Sequence, residues 1–202
     1  MFNTLVKIVR FFLYPFLRVR VVNKEYFPKE GEGCIVAFNH TSNWDPVAAA
    51  LAVPRELHFM AKKELFDIKP LGWLIRKLNA FPIDRSTSDV KAIKTALTIL
   101  KNNEVLLMFP EGKRLREDDR TNDDAKNGIA LLAHRSKTPV VPASIVGNYK
   151  IFSTITVVFG KPVYLNEYYG KKIDTDTMHK ISSHILSEIR KLGEDEKKTL
   201  AK

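Results

Sequence analysis

Four residues separate His40 from Asp45 in the segment Asn39-His40-Thr41-Ser42-Asn43-Trp44-Asp45. A carboxylate that meets one imidazole nitrogen fixes the tautomer and leaves the other nitrogen as a base. Such a pair needs no Ser or Cys nucleophile, because the polarised imidazole deprotonates a substrate hydroxyl directly. On spacing alone the pair is close to coincidence. The bland alternative has Asp45 capping a helix and His40 as a satisfied loop histidine. Two further blocks add cations: Phe81-Pro82-Ile83-Asp84-Arg85 and Phe109-Pro110-Glu111-Gly112-Lys113-Arg114. Each places an apolar strand end before a proline, then an acid and an arginine on the following turn. The Arg fork suits a phosphate, to which it donates two parallel hydrogen bonds. Gly112 allows a tight turn and close backbone approach to a ligand. Taken singly, either block also reads as a structural ion pair, and for Asp84-Arg85 that reading is preferred.

The elements that position these residues alternate between strands and helices. Continuous apolar runs predict buried strands over 34–38 and 105–109, with further strands over 57–60, 140–144 and 155–159 and a short extended piece over 80–83. Asp45-Pro46 opens a helix through residue 53, with Asn43 or Asp45 as cap and the proline in its first turn. Residues 71–78 and 128–134 are also expected to be helical. Val90, Ile93, Ala96, Leu97 and Leu100 recur at helical spacing behind Ser88 or Asp89 as cap. Met178, Ile181, Ile185, Ile189 and Leu192 line one face of a closing helix. This alternation predicts one α/β domain with a mixed, largely parallel central sheet flanked by helices. His40 then lies just after a buried strand, where active sites of such sheets gather.

The chain of 202 residues carries 33 Lys and Arg against 23 Asp and Glu, a net charge of +10. That excess calls for an anionic partner: nucleic acid, a membrane surface or a phosphorylated substrate. Cys34 is the single cysteine, so no disulfide framework or thiolate metal cluster exists, and a reducing compartment fits. No stretch reaches the ~20 apolar residues of a spanning helix. Residues 2–22 mix Phe2, Leu5, Val6, Ile8, Val9, Phe11, Phe12, Leu13, Phe16 and Leu17 with Lys7, Arg10, Arg18 and Arg20. Arg10 splits the run and no small-residue cleavage site follows, which argues against a signal peptide. Amphipathic interfacial helices fit better, divided in two by Pro15; the alternative is a helix packed on the domain's own core. The expected organisation is membrane-interface helices over 1–28, a catalytic domain over 29–192 and a frayed, charged tail over 193–202.

Together the three blocks resemble the 1-acyl-glycerol-3-phosphate acyltransferase family. Its motifs are N-H-x-x-x-x-D, a short F-x-x-x-R block, F-P-E-G-T-R and a V-P segment. This chain shows Asn39-His40 to Asp45, Phe81 to Arg85, Phe109 to Arg114 and Val141-Pro142-Ala143 in the same order, over about residues 30–165. Lys113 stands where the family usually has Thr, adding a cation beside the phosphate site. The resemblance implies that His40, oriented by Asp45, takes a proton from the sn-2 hydroxyl of lysophosphatidic acid. The alkoxide then attacks an acyl carrier protein or coenzyme A thioester, giving phosphatidic acid for phospholipid biosynthesis without an acyl-enzyme. It assigns the acceptor phosphate to Arg85 and Arg114, and ordering of the glycerol to Glu111 beside Gly112 and Lys113. Lys62 looks like the family's additional phosphate lysine, with Lys63 as the alternative. No metal or other cofactor is implied. An anionic membrane surface on the cytoplasmic face of the cell membrane, bound peripherally, is the expected setting.

Rival classes explain less. A nucleic-acid binder would account for the charge, but no zinc spacing, RNP-like aromatics or helix-turn-helix signature accompanies it. His179 and His184 lie five apart on the closing helix and so face different ways, which argues against a shared metal. A noncatalytic peripheral membrane protein gives no reason for the His-Asp pair. The strongest rival is a sister activity on glycerol-3-phosphate or another lysophospholipid.

Overall fold

The computed structural model describes residues 2–13, 16–84, 89–114 and 125–201. Seven strands form one sheet: β1 (Leu17–Val22), β2 (Cys34–Phe38), β3 (Leu57–Lys62), β4 (Ala80–Ile83), β5 (Val105–Met108), β6 (Val140–Val146) and β7 (Ser153–Phe159). The helices are α1 (Phe2–Leu13), α2 (Asp45–Ala52), α3 (Leu71–Lys77), α4 (Val90–Lys101), α5 (Gly128–Ser136) and α6 (Thr175–Leu200). Strand order is β1-β7-β6-β2-β5-β3-β4. The five strands from β6 to β4 run parallel, whereas β7 is antiparallel to β6 and β1 parallel to β7. The α/β class and the mixed, largely parallel sheet agree with expectation.

Strand periodicity sorts the core into two faces. Cys34, Val36 and Phe38 of β2 meet α2, the start of α1 and Phe159 on one side. Ile35 and Ala37 face Ala96 and Leu100 of α4, Ile129 and Ala133 of α5, and Ile185 and Ile189 of α6 on the other. With every β2 residue fully covered, the strand reads as an unbroken apolar run. Each such buried aliphatic or aromatic side chain contributes about 1.5–3 kcal/mol through burial. Burial pushes the Cys34 thiol up to about 12, with nearby Arg55 opposing weakly, so it is an inert core residue. Pro142 tolerates a central strand because it stands where the β6–β7 ladder ends. Its carbonyl accepts from Gly160 N at 2.7 Å, and the missing N–H falls on the side that β7 is leaving.

Two expectations are corrected. Residues 17–22 are not a second interfacial helix but strand β1, paired with β7. In L-R-V-R-V-V the apolar residues alternate with exposed Arg18 and Arg20, a period of two that a sheet edge satisfies and a helix does not. Pro15, the expected divider, lies outside the described residues. Residues 193–200 are not frayed: α6 continues to Leu200, burying Gly193 and Glu196, and Arg20 Nη2 stands 3.3 Å from Glu196 Oε1. The other acids, Glu194 and Asp195, face solvent and precede Lys197 and Lys198, an order that suits the helix dipole. Helix α1 is packed on one stripe, through buried Phe2 and partly covered Val6, while Ile8, Phe11 and Phe12 stay exposed. Among the described residues no helix is long and apolar enough to cross a membrane.

Candidate active site

Because β6, β2, β5, β3 and β4 are parallel, the loops leaving them open on one edge of the sheet. Asn39 extends β2 by one rung with its side chain: Nδ2 donates to Ile145 O at 3.1 Å and Oδ1 accepts from Ile145 N at 2.7 Å. That clamp fixes where the chain leaves the sheet, and the next residue is His40.

The His40 loop folds back on Asp45, the first residue of α2. Asp45 Oδ2 receives three donors: His40 Nδ1 at 2.9 Å, Thr41 N at 2.6 Å and Ser42 N at 2.7 Å. Its Oδ1 accepts the Tyr149 hydroxyl at 2.7 Å. The Asp45 side chain is fully buried. Burial opposes its ionised form, but the hydrogen bonds from His40, Ser42, Tyr149 and Thr41 together outweigh that. They hold the carboxyl below its usual range. Burial, then the Asp45 charge and the hydrogen bond to it, push the Tyr149 phenol well above its ordinary value, so it is a standing donor. With Asp45 ionised and Nδ1 donating to it, the lone pair of His40 lies on Nε2. Asp45 is therefore more than a cap: α2 has no side-chain cap bond at its N-terminus, and the carboxylate points at the loop instead.

His40 is braced from β5 as well. Its ring stacks on Phe109, with centroids 4.1 Å apart at 22°. Its backbone N donates to Glu111 Oε2 at 3.0 Å. Glu111 is fully buried, and its Oε1 lies 3.9 Å from Arg190 Nη2 on α6. Gly112 follows at φ +66°, a left-handed conformation that costs a side chain energy, and a Cβ there would press on the Lys126 side chain at 3.3 Å. The turn leaves Lys113 and Arg114 exposed at the same edge.

The structure thus brings His40, Asp45 and Glu111 into hydrogen-bonding contact and sets Gly112, Lys113 and Arg114 directly after them. Lys62 ends β3 on that edge, exposed and 3.6 Å from Glu64. Lys63, in the turn after β3, is engaged by Asp84, in the loop that leaves the neighbouring strand β4. Arg85 lies outside the described residues. His179 is half-buried and His184 exposed on α6. Among the described residues no three His, Cys, Asp or Glu side chains gather as a metal site. Sequence reasoning missed Tyr149, which lies 104 positions from Asp45 in a loop with no motif. It also missed Arg190, hidden among many basic residues of α6. The alternating apolar face of α6 singles out Ile185 and Ile189 but carries no signal for the next residue. A cleft of about 890 Å³ runs between α1, β1 and α2, floored by Val6, Leu17, Val19 and Leu51 and rimmed by Lys7, Arg10, Arg18 and Arg20.

The family model described as Acyltransferase matches residues 18–146, from β1 through β6. A 1-acyl-sn-glycerol-3-phosphate acyltransferase of Streptococcus pneumoniae is 34% identical over 182 residues, covering 87% of this chain and 66% of its own length. The one from Bacillus subtilis is 33% identical over 156 residues, covering 74% of this chain and 76% of its own. In fold, the chain is similar to the crystal structure of the 1-acyl-sn-glycerophosphate acyltransferase PlsC from Thermotoga maritima. The TM-score is 0.70 and the identity 24%, across 96% of this chain and 78% of that one.

Proposed function

The chain belongs to the Acyltransferase family, and from that premise we propose that it transfers a fatty acyl group from a thioester to the sn-2 hydroxyl of lysophosphatidic acid, giving phosphatidic acid. The observation that carries this is the 2.9 Å contact of His40 Nδ1 with a buried Asp45 carboxylate, at the edge where the sheet's loops open. His40 Nε2 accepts the hydroxyl proton as the alkoxide oxygen attacks the thioester carbonyl carbon. Collapse of the tetrahedral intermediate breaks the C–S bond, and the leaving thiolate takes the proton back from the imidazolium. Asp45 positions the ring and stabilises its transient charge.

Arg114 and Lys113, on the turn that follows Glu111, are the cations assigned to the acceptor phosphate, with Lys62 arriving from β3 and Arg85 as a further member. The apolar floor of the cleft between α1, β1 and α2 suits an alkyl chain. The acyl donor is an acyl carrier protein or coenzyme A thioester. Exposed Phe11, Phe12 and Ile8 on α1, beside Lys7 and Arg10, support a peripheral position on an anionic membrane at its cytoplasmic face. The deciding experiment incubates purified protein with labelled acyl thioester and a panel of lysophosphatidic acid, glycerol-3-phosphate and other lysophospholipids. Labelled phosphatidic acid from the wild type, lost by 10²-fold or more in a folded His40→Ala variant, is the expected result. Product from glycerol-3-phosphate alone moves the assignment to the sister activity, and near-normal turnover by the variant removes His40 as the base.

A further inference from the structure

Two groups of exposed apolar side chains flank the His40 edge, and α1 accounts for only one. That group continues from α1 through Phe16 to Ile151 and Phe152, in the connection that enters β7. Phe152 N donates to Phe16 O at 2.7 Å and the two rings lie 6.3 Å apart. The second group sits at the other end of the sheet. Directly after Lys62 ends β3, a short 3-10 turn (Lys63–Phe66) and α3 present Leu65, Ile68, Leu71, Trp73 and Leu74 to solvent, with Ile68 52% and Trp73 60% exposed.

This second patch is a built protrusion. Phe66 turns inward, Arg76 lies over its ring at 5.0 Å, and Gly72 N donates to Ile68 O at 2.7 Å. A Cβ on Gly72 would fall 2.2 Å from Phe66 O, so only glycine lets α3 close on the turn. That closure commits the covered face of the hairpin and leaves its large apolar residues outward. Residues 62–77 also hold five cations, Lys62, Lys63, Lys69, Arg76 and Lys77, against Glu64 and Asp67, and with Asp84 on Lys63 counted a positive excess still remains. An apolar tip ringed by excess positive charge matches an anionic bilayer: the tip enters the acyl boundary and the cations meet headgroups.

Position favours the same partner. In the strand order β1-β7-β6-β2-β5-β3-β4, the first patch lies at the β1–β7 end and the second at β3–β4. At roughly 4.8 Å per strand, each stands about 10–15 Å from β2, on opposite sides of it. We propose that the turn and α3 form a second membrane-binding element, which lays an anionic lipid surface across the His40 edge. The inference rests on the acyl-transfer reading only for its purpose, since an acceptor with its chain in the bilayer reaches His40 most directly when that edge lies flat on the headgroups.

The test is a double variant, Ile68→Ser with Trp73→Ser, in the full chain. Both side chains are exposed and neither belongs to the catalytic loops. Partition is measured by flotation on vesicles of phosphatidylcholine alone and of an equal mixture with phosphatidylglycerol. A parallel assay uses a short-chain lysophosphatidic acid that is monomeric in solution. Binding of the wild type to the mixed vesicles, falling about tenfold or more in the variant with turnover of the soluble acceptor unchanged, is the expected result. Wild-type partition of the variant overturns the proposal. So does a wild-type dimer that the variant abolishes without altering vesicle binding, which would give the patch to a second copy of the chain. If the double variant does not fold, Trp73→Ser alone reads the same partition. A wild type that binds vesicles but never acylates the soluble acceptor defeats the acyl-transfer reading, while the flotation comparison still decides this one.

Discussion

Exchanging Asp45 for Asn separates the carboxylate's charge from its geometry. In Asp45→Asn the backbone N–H groups of Thr41 and Ser42, at 2.6 and 2.7 Å from Oδ2, still demand an acceptor there. The amide oxygen therefore takes the Oδ2 position and the amide nitrogen takes that of Oδ1. Tyr149, which donates to Oδ1 at 2.7 Å, rotates its hydroxyl and accepts instead. His40 Nδ1 still meets an oxygen, so Nε2 keeps its lone pair and the tautomer is unchanged. Only the negative charge beside the forming imidazolium is lost. A charge-assisted hydrogen bond is worth about 1–2 kcal/mol more than a neutral one, so kcat should fall about 5- to 30-fold. Where an Asn instead forces the wrong tautomer, the loss is about 10⁴-fold. Asp45→Ala, which removes the acceptor altogether, should lose about 10³-fold or more. Initial rates of thiol release from the acyl thioester at saturating acceptor measure all three proteins. Equal rates for Asp45→Asn and Asp45→Ala would refute the reasoning, because the amide nitrogen would then be facing the imidazole.

Arg114→Ala should raise KM for the phosphorylated acceptor about tenfold or more and leave kcat near normal; an effect confined to the thioester's KM would contradict its assignment. The Asp45 bonds also give stability a pH dependence. The folded pKa lies below the unfolded value near 3.8, so between the two the unfolded chain binds more protons and stability rises with pH. The contribution is whole above the unfolded pKa and disappears as pH falls through the folded one. Urea unfolding of wild type and Asp45→Asn should therefore show a gap that narrows from pH 6 towards pH 3, and a constant gap would rule this out.

Much of the fold was legible because its signals are local. The run Cys34–Phe38 has no polar position, as a short strand covered on both faces requires, and Ile93, Ala96, Leu97 and Leu100 mark one helical stripe, while Val90 at its start is exposed. Residues 17–22 are ambiguous in sequence because cations beside apolar residues suit both an interfacial helix and an edge strand. The period of two in Leu17, Val19 and Val21 decides it, but across six residues it is brief. In the tail, high charge density suits a frayed end and a solvated helix alike, because only Gly193 and Glu196 need cover and the other residues to Leu200 face water. In the site, His40 and Asp45 could be found because one short loop carries both. Tyr149 could not, since its contact depends on β6 lying beside β2, which no local pattern encodes.

The same sheet order bears on Glu111. The resemblance gives it the glycerol of the acceptor, yet its side chain is fully buried and Oε2 is held by the His40 backbone N–H. An acceptor hydroxyl arriving from solvent meets exposed Lys113 and Arg114 first. Because β5 lies beside β2, a carboxylate leaving β5 can brace the base from behind, with Arg190 of α6 3.9 Å away as its counter-charge. Glu111 then acts by positioning His40, and the split between kcat and KM distinguishes the two roles. Glu111→Ala strands a buried N–H, costing about 1–3 kcal/mol of stability, and lets the loop drift. A drift of about 1 Å is enough for a roughly 10²-fold loss in kcat. Glu111→Gln keeps an oxygen for His40 N but turns an amide towards Arg190, so stability should suffer more than turnover. Steady-state kinetics beside urea unfolding would decide. Variants that keep kcat and raise the acceptor's KM would return Glu111 to the glycerol, and a fall in kcat at constant KM would place it behind the base.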